Sequence, residues 1–474
     1  MTVVQRYEKL YPLLKQSEQT HLVRFWDELD EKGKESLVCQ LEKLEFSRIP
    51  SWVENYVKKE NPLDIPTEFA PASYYPAVEN SDTAAIFAKG RKLGEDLVKA
   101  GKVGAFVVAG GQGTRLGFGG PKGNFPTSPI KNKTLFQIFA EAILAASRKY
   151  KAVIPWYIMT SPLNHKETLD ALKAAEYFGL SEKDVFVFQQ GTMPNFDFEG
   201  RIFLSAKDEI ATSPDGHGGS LKALYDSGAV ADMKKRGVEQ LSYFQVDNPL
   251  IKIIDPLFIG LHAMEDAGMS SKTLIKAYPK EKVGNFCLVE GRVNVIEYSD
   301  LPDEQAERKN PDGSLVFQLG SIAIHIISRK FIEQLNAEGF ALPFHKAIKK
   351  IPYIDHSGKL IQPDKPNGVK LETFVFDALP LSDRSVILET LREEEFAPVK
   401  NAEGLDSPAV TRQMMTDRAA KWLEAAGVKV PRKADGTADC VIEMSPLFAV
   451  DERDVVSRAA KVPPIKAGAA IYLE

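Results

Sequence analysis

Cysteine is scarce in this chain. Its three residues, Cys39, Cys287 and Cys440, are odd in number and far apart among 474 positions. Such a set builds no disulfide framework and offers no zinc-ligand spacing; it fits reduced thiols in a cytoplasmic protein. Long apolar runs are missing as well. No stretch approaches the ~20 residues that span a bilayer, and the N-terminal MTVVQRYEKLYP lacks the apolar core of a secretion signal. The expectation is a cytoplasmic protein with no membrane segment. Positive charge is not in excess either. Sixty Lys and Arg against 65 Asp and Glu leave a formal net charge of −5 and a pI near 6.0. That balance excludes a general nucleic-acid binder and confines any basic surface to a pocket. Internal repeats and low-complexity tracts are absent too.

What is present is the composition of a globular protein, 44% hydrophobic and 26% charged. The length predicts about three parts. Residues 1–83 read as N-terminal helices followed by a tether. Leu10, Leu13 and Leu14, then Leu22, Phe25, Trp26 and Leu29, then Leu37, Val38, Leu41 and Leu44 recur at helical spacing. This stripe predicts packing onto the body rather than a partner surface. Pro50, Pro62, Pro66, Pro71 and Pro76 then interrupt regular structure. Residues 84–384 alternate helix and strand: DTAAIFAKGRKLGEDLVKAG helical, KVGAFVVAG a strand, KTLFQIFAEAILAASRKY helical, VIPWYIMTS a strand. NHKETLDALKAAEYFG, DVFVFQQG, SGAVADMKKRG and QLSYFQVDN continue the alternation. The pattern predicts an α/β fold with a doubly wound, mixed but mainly parallel, Rossmann-like sheet and ligands beyond the strand C-termini. Residues 284–330 read as an antiparallel extension. Residues 385–474, with helical RQMMTDRAAKWLEAAGV, read as a small appended domain.

The densest signal is FVVAGGQGTRLGFGGPKGNFP, residues 106–126, where seven glycines, one Arg and one Lys follow a buried-strand pattern. A Walker loop would need Ser or Thr after its lysine, but Gly123 follows Lys122. A dinucleotide fingerprint would need its third glycine at Leu116, and the glycine arrives late, at Gly117. What remains is a loop in which Gly110, Gly111 and Gly113 let backbone N–H groups approach phosphate oxygens. Arg115 supplies a permanently charged fork for a polyphosphate, and Lys122, stiffened by Pro121, supplies a point charge for a second phosphate. The set suits a nucleoside triphosphate losing pyrophosphate better than one losing its γ-phosphate.

This loop is followed, in order, by FQQG (188–191), SPDGHGG (213–219), QVDNPL (245–250), VGNFCLVEGRVNVIEYSDL (283–301), GSIAIH (320–325), KKIPYID (349–355), KPNGVKLETFVFD (365–377) and EEEFAPVKNAEG (393–404). Across roughly residues 90–405 the series resembles the UDP-sugar pyrophosphorylase family, most closely its eukaryotic-type UDP-N-acetylglucosamine pyrophosphorylases. The resemblance implies a uridylyltransferase that joins UTP to N-acetylglucosamine 1-phosphate and releases pyrophosphate with Mg²⁺. UDP-glucose or broad UDP-sugar synthesis is the alternative within that chemistry. A non-catalytic UDP-sugar-binding regulator is the alternative outside it.

Site residues follow from the same resemblance. Asp247, which alone reads as a strand-end cap, matches the Mg²⁺ ligand, and a phosphate-shared Mg²⁺ needs few protein carboxylates. Lys400, alone an ordinary surface lysine, matches a cation that acts on the phosphates with Arg115 and Lys122. Gln190 matches an amide that reads the uracil edge, donating and accepting at once. Ala109, Gly110, Gly111, Gly113, Thr114, Gly216 and His217 complete the nucleotide set. Gly284, Glu297, Ser321, Phe374 and Phe376 match positions around the sugar, although the two phenylalanines also read as a half-buried strand pair. Two positions depart from the family: His217 and Ser321 both stand where it has asparagine. Losing the amide at 321 bears on sugar preference, because a site built for a hydrogen bond punishes its absence. His325 reads as structural.

Overall fold

The computed structural model describes residues 1–60, 66 and 68–474; Pro62 lies outside the described residues. The chain forms two compact units. One comprises Pro66–Gln190, Leu221–Phe340 and Ala378–Glu474, the other Met1–Ile65, Gly191–Ser220 and Ala341–Asp377.

The larger unit is built on a mixed ten-stranded sheet. Its strands include β1 (Val103–Val108), β2 (Trp156–Thr160), β3 (Val185–Gln189), β4 (Gln240–Gln245), β5 (Met269–Ile275), β6 (Gly284–Val289), β7 (Arg292–Ile296), β8 (Leu319–Ser328) and β9 (Ile387–Glu389). In β1 and β2 every residue is buried, as the continuous apolar runs predict for strands covered on both faces. β3, β2, β1 and β4 lie side by side and parallel, whereas β8, β6 and β7 extend the sheet antiparallel. The expected α/β class and the antiparallel extension are both present. Chain order turns back at β1, so β1 and β4 are the neighbours whose C-terminal loops diverge. Such a switch point opens a crevice at the strand ends.

β8 carries the sheet's sharpest irregularity. Ser271 pairs with His325 and Thr273 with Ser321, so Ile322, Ala323 and Ile324 stand opposite Lys272 alone. Ala323 takes φ +54, a left-handed conformation rare for a residue with a Cβ. The bulge bends β8 away from β4, with which His325 pairs through Tyr243, and hands it to β6, where Ser321 pairs with Gly284.

Helix Ala84–Lys99 crosses helix Pro256–Met264 on glycine. A Cβ at Gly94 would lie 1.8 Å from the Pro256 carbonyl oxygen, and one at Gly260 would lie 1.7 Å from that of Gly90. Residues Ala419–Leu473 keep a core of their own around Trp422, Leu423, Ile442 and Phe448. Tyr75 exchanges backbone hydrogen bonds with Ile387 and Glu389, so the expected tether touches β9 through an isolated parallel bridge.

In the smaller unit the N-terminal stripe is covered. Leu14, Leu22, Leu37 and Leu41 pack with Phe196, Ile202, Val369 and Leu371. Gln19 and Gln40 stitch the helices down by giving and receiving backbone bonds at Gly200 and Ile202, and at Asp208 and Ile210. The compact grouping therefore crosses the chain-order division at residue 83, because strands from 191–220 and 341–377 supply the apolar face these helices need. Cys39, Cys287 and Cys440 are free thiols. Among the described residues no helix is long and apolar enough to cross a membrane.

Gly94→Ala is expected to lower stability by about 3 kcal/mol, because backbone rather than a movable side chain blocks the new methyl. Denaturant unfolding checks it, with a lower midpoint at unchanged slope.

Candidate functional site

The glycine loop leaves β1 and folds on itself. Gly113 N–H donates to the Gly120 carbonyl at 2.9 Å, and Lys122 N–H donates to that of Gly111 at 3.1 Å. Gly117, at φ +68, closes the short turn Thr114–Leu116, leaving Thr114 and Arg115 exposed. Its base is fixed by a residue that the sequence did not single out. Asn164 is fully buried, and its amide donates to the carbonyls of Ala109 and Gly111 at 3.0 and 3.3 Å. Its oxygen accepts from Ser161 N–H at 2.8 Å. In sequence Asn164 reads as a cap for helix His165–Ala174; its side chain holds the loop instead.

Gly110 lies against Gln190. A Cβ at 110 would come 2.4 Å from the Gln190 side-chain oxygen, so only glycine lets this amide lie along the loop backbone. Gln190 is buried at the end of β3, with its N–H on the Thr160 carbonyl. Neither Arg115 nor Lys122 forms an ion pair among the described residues. Two cations held on one rigid loop without carboxylate partners are suited to an anionic ligand.

Asp247 follows the adjacent β4. Val246 N–H donates to the Val108 carbonyl at 3.1 Å, so the two loops leave the sheet side by side. The Asp247 carbonyl accepts from Val399 N–H at 2.8 Å, which brings the segment bearing Lys400 to this edge. Lys400 is 41% exposed, 3.8 Å from Asp406 and 5.6 Å from the Phe396 ring centre. No cluster of three or more His, Cys, Asp or Glu that could hold a metal occurs among the described residues.

A second group gathers at the bulge. A Cβ at Gly284 would meet Val295 at 2.5 Å, the Glu297 carboxylate at 3.4 Å and Ser321 at 3.6 Å. Gly284, Glu297 and Ser321 thus share one corner of the sheet. Tyr298 beside them is 45% exposed. His325 is buried, with Nδ1 at 2.8 Å from Ser271 Oγ, as a structural histidine should be.

The smaller unit holds the remaining candidates. Gly216 takes φ +85 where a Cβ would lie 2.3 Å from the Thr373 carbonyl oxygen. His217 stacks on Phe374 at 5.1 Å and 7°, and His345 stacks on Phe374 at 4.0 Å. Phe376 closes the group 5.2 Å from Phe374. Val375 N–H donates to His217 Nδ1 at 3.1 Å, so the proton sits on Nε2. Burial, and then repulsion from His345, pushes the His217 imidazole down to about 4.

The sequence matches the family model described as UTP--glucose-1-phosphate uridylyltransferase over residues 79–469. It is 37% identical over 462 residues to UDP-N-acetylhexosamine pyrophosphorylase-like protein 1 of Xenopus tropicalis, covering 92% of this chain and 90% of that one. It is 34% identical over 476 residues to UDP-N-acetylglucosamine diphosphorylase 2 of Arabidopsis thaliana, covering 95% and 92%. The chain belongs to the UDP-sugar pyrophosphorylase family, in its UDP-N-acetylhexosamine branch. The crystal structure of uridine diphosphate N-acetylglucosamine pyrophosphorylase from Trypanosoma brucei matches with TM-score 0.84 at 25% identity, over 100% of this chain and 98% of that one. As a UDP-sugar pyrophosphorylase family member, the protein is a nucleotidyltransferase.

His217 gives a pH prediction. The unfolded chain takes up its proton near 6.5 and the folded chain only near 4. Its contribution to stability is therefore complete above 6.5 and is lost as pH falls from 6.5 towards 4. His217→Asn should flatten the fall of melting temperature across that window. The slopes from the other depressed imidazoles, His21, His165 and His262, should remain.

Proposed function

We propose that the protein transfers the uridylyl group of UTP to N-acetylglucosamine 1-phosphate. A phosphate oxygen of the sugar phosphate forms a bond to the α-phosphorus in line. The bond from that phosphorus to the bridging oxygen breaks, and pyrophosphate leaves. No covalent enzyme intermediate is required, so alignment and charge neutralisation carry the catalysis. The observation that supports this reading is the pairing of two strand-end loops. One bears Arg115 and Lys122, which form no ion pair among the described residues; the other bears Asp247, hydrogen-bonded through its backbone to the Lys400 segment.

In this reading Arg115 and Lys122 hold the β- and γ-phosphates, and Lys400 takes up charge as pyrophosphate departs. The Gln190 amide reads the uracil edge beside Ala109, Gly110 and Gly111, with Gly113 and Thr114 completing the phosphate loop; in the smaller unit, Gly216 is assigned to the nucleotide by the family resemblance alone. His217 Nε2–H supplies a donor where the family has an amide. Glu297 accepts from sugar hydroxyls beside Gly284 and Ser321; in the smaller unit, Phe374 and Phe376 are assigned to the N-acetyl methyl by the family resemblance alone. A half-buried carboxylate, in a chain with no group of three or more metal-ligating side chains among the described residues, fits Mg²⁺ that would take its other oxygens from phosphate and water, and Asp247 would hold it. There the ion would supply charge neutralisation at the phosphates. Three free thiols agree with a reducing cytoplasm as the place of work.

Pyrophosphate release from UTP with a panel of sugar 1-phosphates tests the reading. N-acetylglucosamine 1-phosphate should be fastest. A preference for glucose 1-phosphate would overturn the sugar assignment and point to Ser321, and no release with any sugar despite UTP binding would make the chain a regulator. Asp247→Ala should lower turnover by at least ~10²-fold with the fold intact, and Arg115→Ala by ~10²–10³. Chelation of divalent metal should abolish turnover reversibly.

A further inference from the structure

Asp247 and Lys400 lie on two loops without regular structure of their own, and neither loop can fix the other by ladder pairing. Asn248, only 4% exposed, joins them. Its oxygen accepts from Leu250 N–H at 3.3 Å and Ala397 N–H at 3.1 Å, and its amide donates to the Glu395 carbonyl at 2.6 Å. Arg418, from helix Pro408–Ala425, makes a second bridge by donating to the carbonyls of Leu250 and Glu394 at 2.7 and 2.9 Å. It stacks 4.9 Å from the Trp422 ring centre, whose indole N–H donates to the Glu394 carboxylate. Beneath this clasp Lys272, 1% exposed, holds Glu395 at 2.5 and 2.7 Å and Asp255 at 2.6 Å.

An apolar core would hold these segments together with less desolvation. Buried polar groups add what apolar contact lacks, a defined register between two backbones. The register here is the one that pairs Val399 with the Asp247 carbonyl and so brings the segment bearing Lys400 beside Asp247. The clasp has a further anchor, because the same helix donates from Arg412 to the carbonyls of Pro126 and Thr127, at the far end of the glycine loop. One C-terminal helix thus holds all three segments that carry the phosphate-facing residues.

We propose that Asn248 and Arg418 are positioning residues for uridylyl transfer, fixing the span between Asp247 and Lys400 from the side away from the substrate. The proposal rests on the reading of Asp247 and Lys400 given above. It assigns the C-terminal helix a part in turnover: it sets the geometry in which those two groups meet the triphosphate. A displacement of about 1 Å between such groups can cost ~10²-fold in rate.

The test compares Asn248→Ala and Arg418→Lys with Asn367→Ala. Asn367 staples another pair of loop backbones, giving and receiving bonds at Ile351, and has no part in the proposed site. Asn248→Ala and Arg418→Lys should lower kcat by about 10- to 100-fold while the KM for UTP stays within threefold. Amide exchange at Ala397 and Val399 should accelerate while β1, β2 and β4 keep their protection. Asn367→Ala should lose comparable thermal stability and keep kcat within twofold. If Asn248→Ala does not fold, Arg418→Lys is judged by the same criteria. An unchanged kcat in the folded variants, or a kcat loss that Asn367→Ala reproduces, overturns the proposal. Asp247→Ala and Lys400→Ala run alongside. Full turnover in those two would refute the underlying reading instead, whatever the clasp variants do.

Discussion

Parallel pairing of β1 with β4 is the constraint on which the rest of the larger unit depends. The strands run in register from Val103 against Gln240 to Val108 against Gln245, so their C-terminal loops emerge at one level of the sheet. A sheet can set only where such loops begin. Beyond that point each backbone polar group needs a partner of its own, and this protein supplies those partners from asparagine and arginine side chains. Asn164 holds the first loop, Asn248 the second, and Arg412 and Arg418 reach both from the C-terminal helix. Rigidity at the candidate site is thus a property of loops braced from outside.

Much of this was legible in the amino-acid order, for identifiable reasons. Strands such as VGAFVV and helices such as LFQIFAEAILAASRKY announce themselves because their periodicity is local. The glycine loop was equally plain, since only glycine at 110 leaves room for the Gln190 amide. The bulge in β8 was not, because it is defined by pairing with a distant strand, where three residues including the left-handed Ala323 stand opposite Lys272. Nor was the clasp, whose partners Asn248 and Glu395 are 147 residues apart. A single asparagine after a strand reads as a turn residue, and nothing local says that its amide spans two loops. Lys400 was found only through family resemblance, since its place depends on a backbone bond between Val399 and Asp247.

The two departures from the family pattern sit in different surroundings. Ser321 stands at a bend of the sheet, beside a glycine that could not carry a side chain without meeting Val295. A shorter side chain there leaves more room next to Glu297. His217 stands in an aromatic stack, where its flat ring lies on Phe374 and its Nδ1 is taken by the backbone. The imidazole keeps one N–H donor and adds stacking area that an asparagine lacks. The first change alters space and the second alters surface.

The smaller unit's core joins Leu14, near the beginning of the chain, to Leu371. On a ribosome adding ~5–20 residues per second, these helices wait roughly twenty to seventy seconds for the last strand that covers them. Until then the stripe has at most the cover of the 191–220 strands, and the rest of it faces solvent, open to chaperones and to neighbouring nascent chains. Truncation before residue 371 would leave part of the stripe without its cover, so these helices are secured only long after they are made.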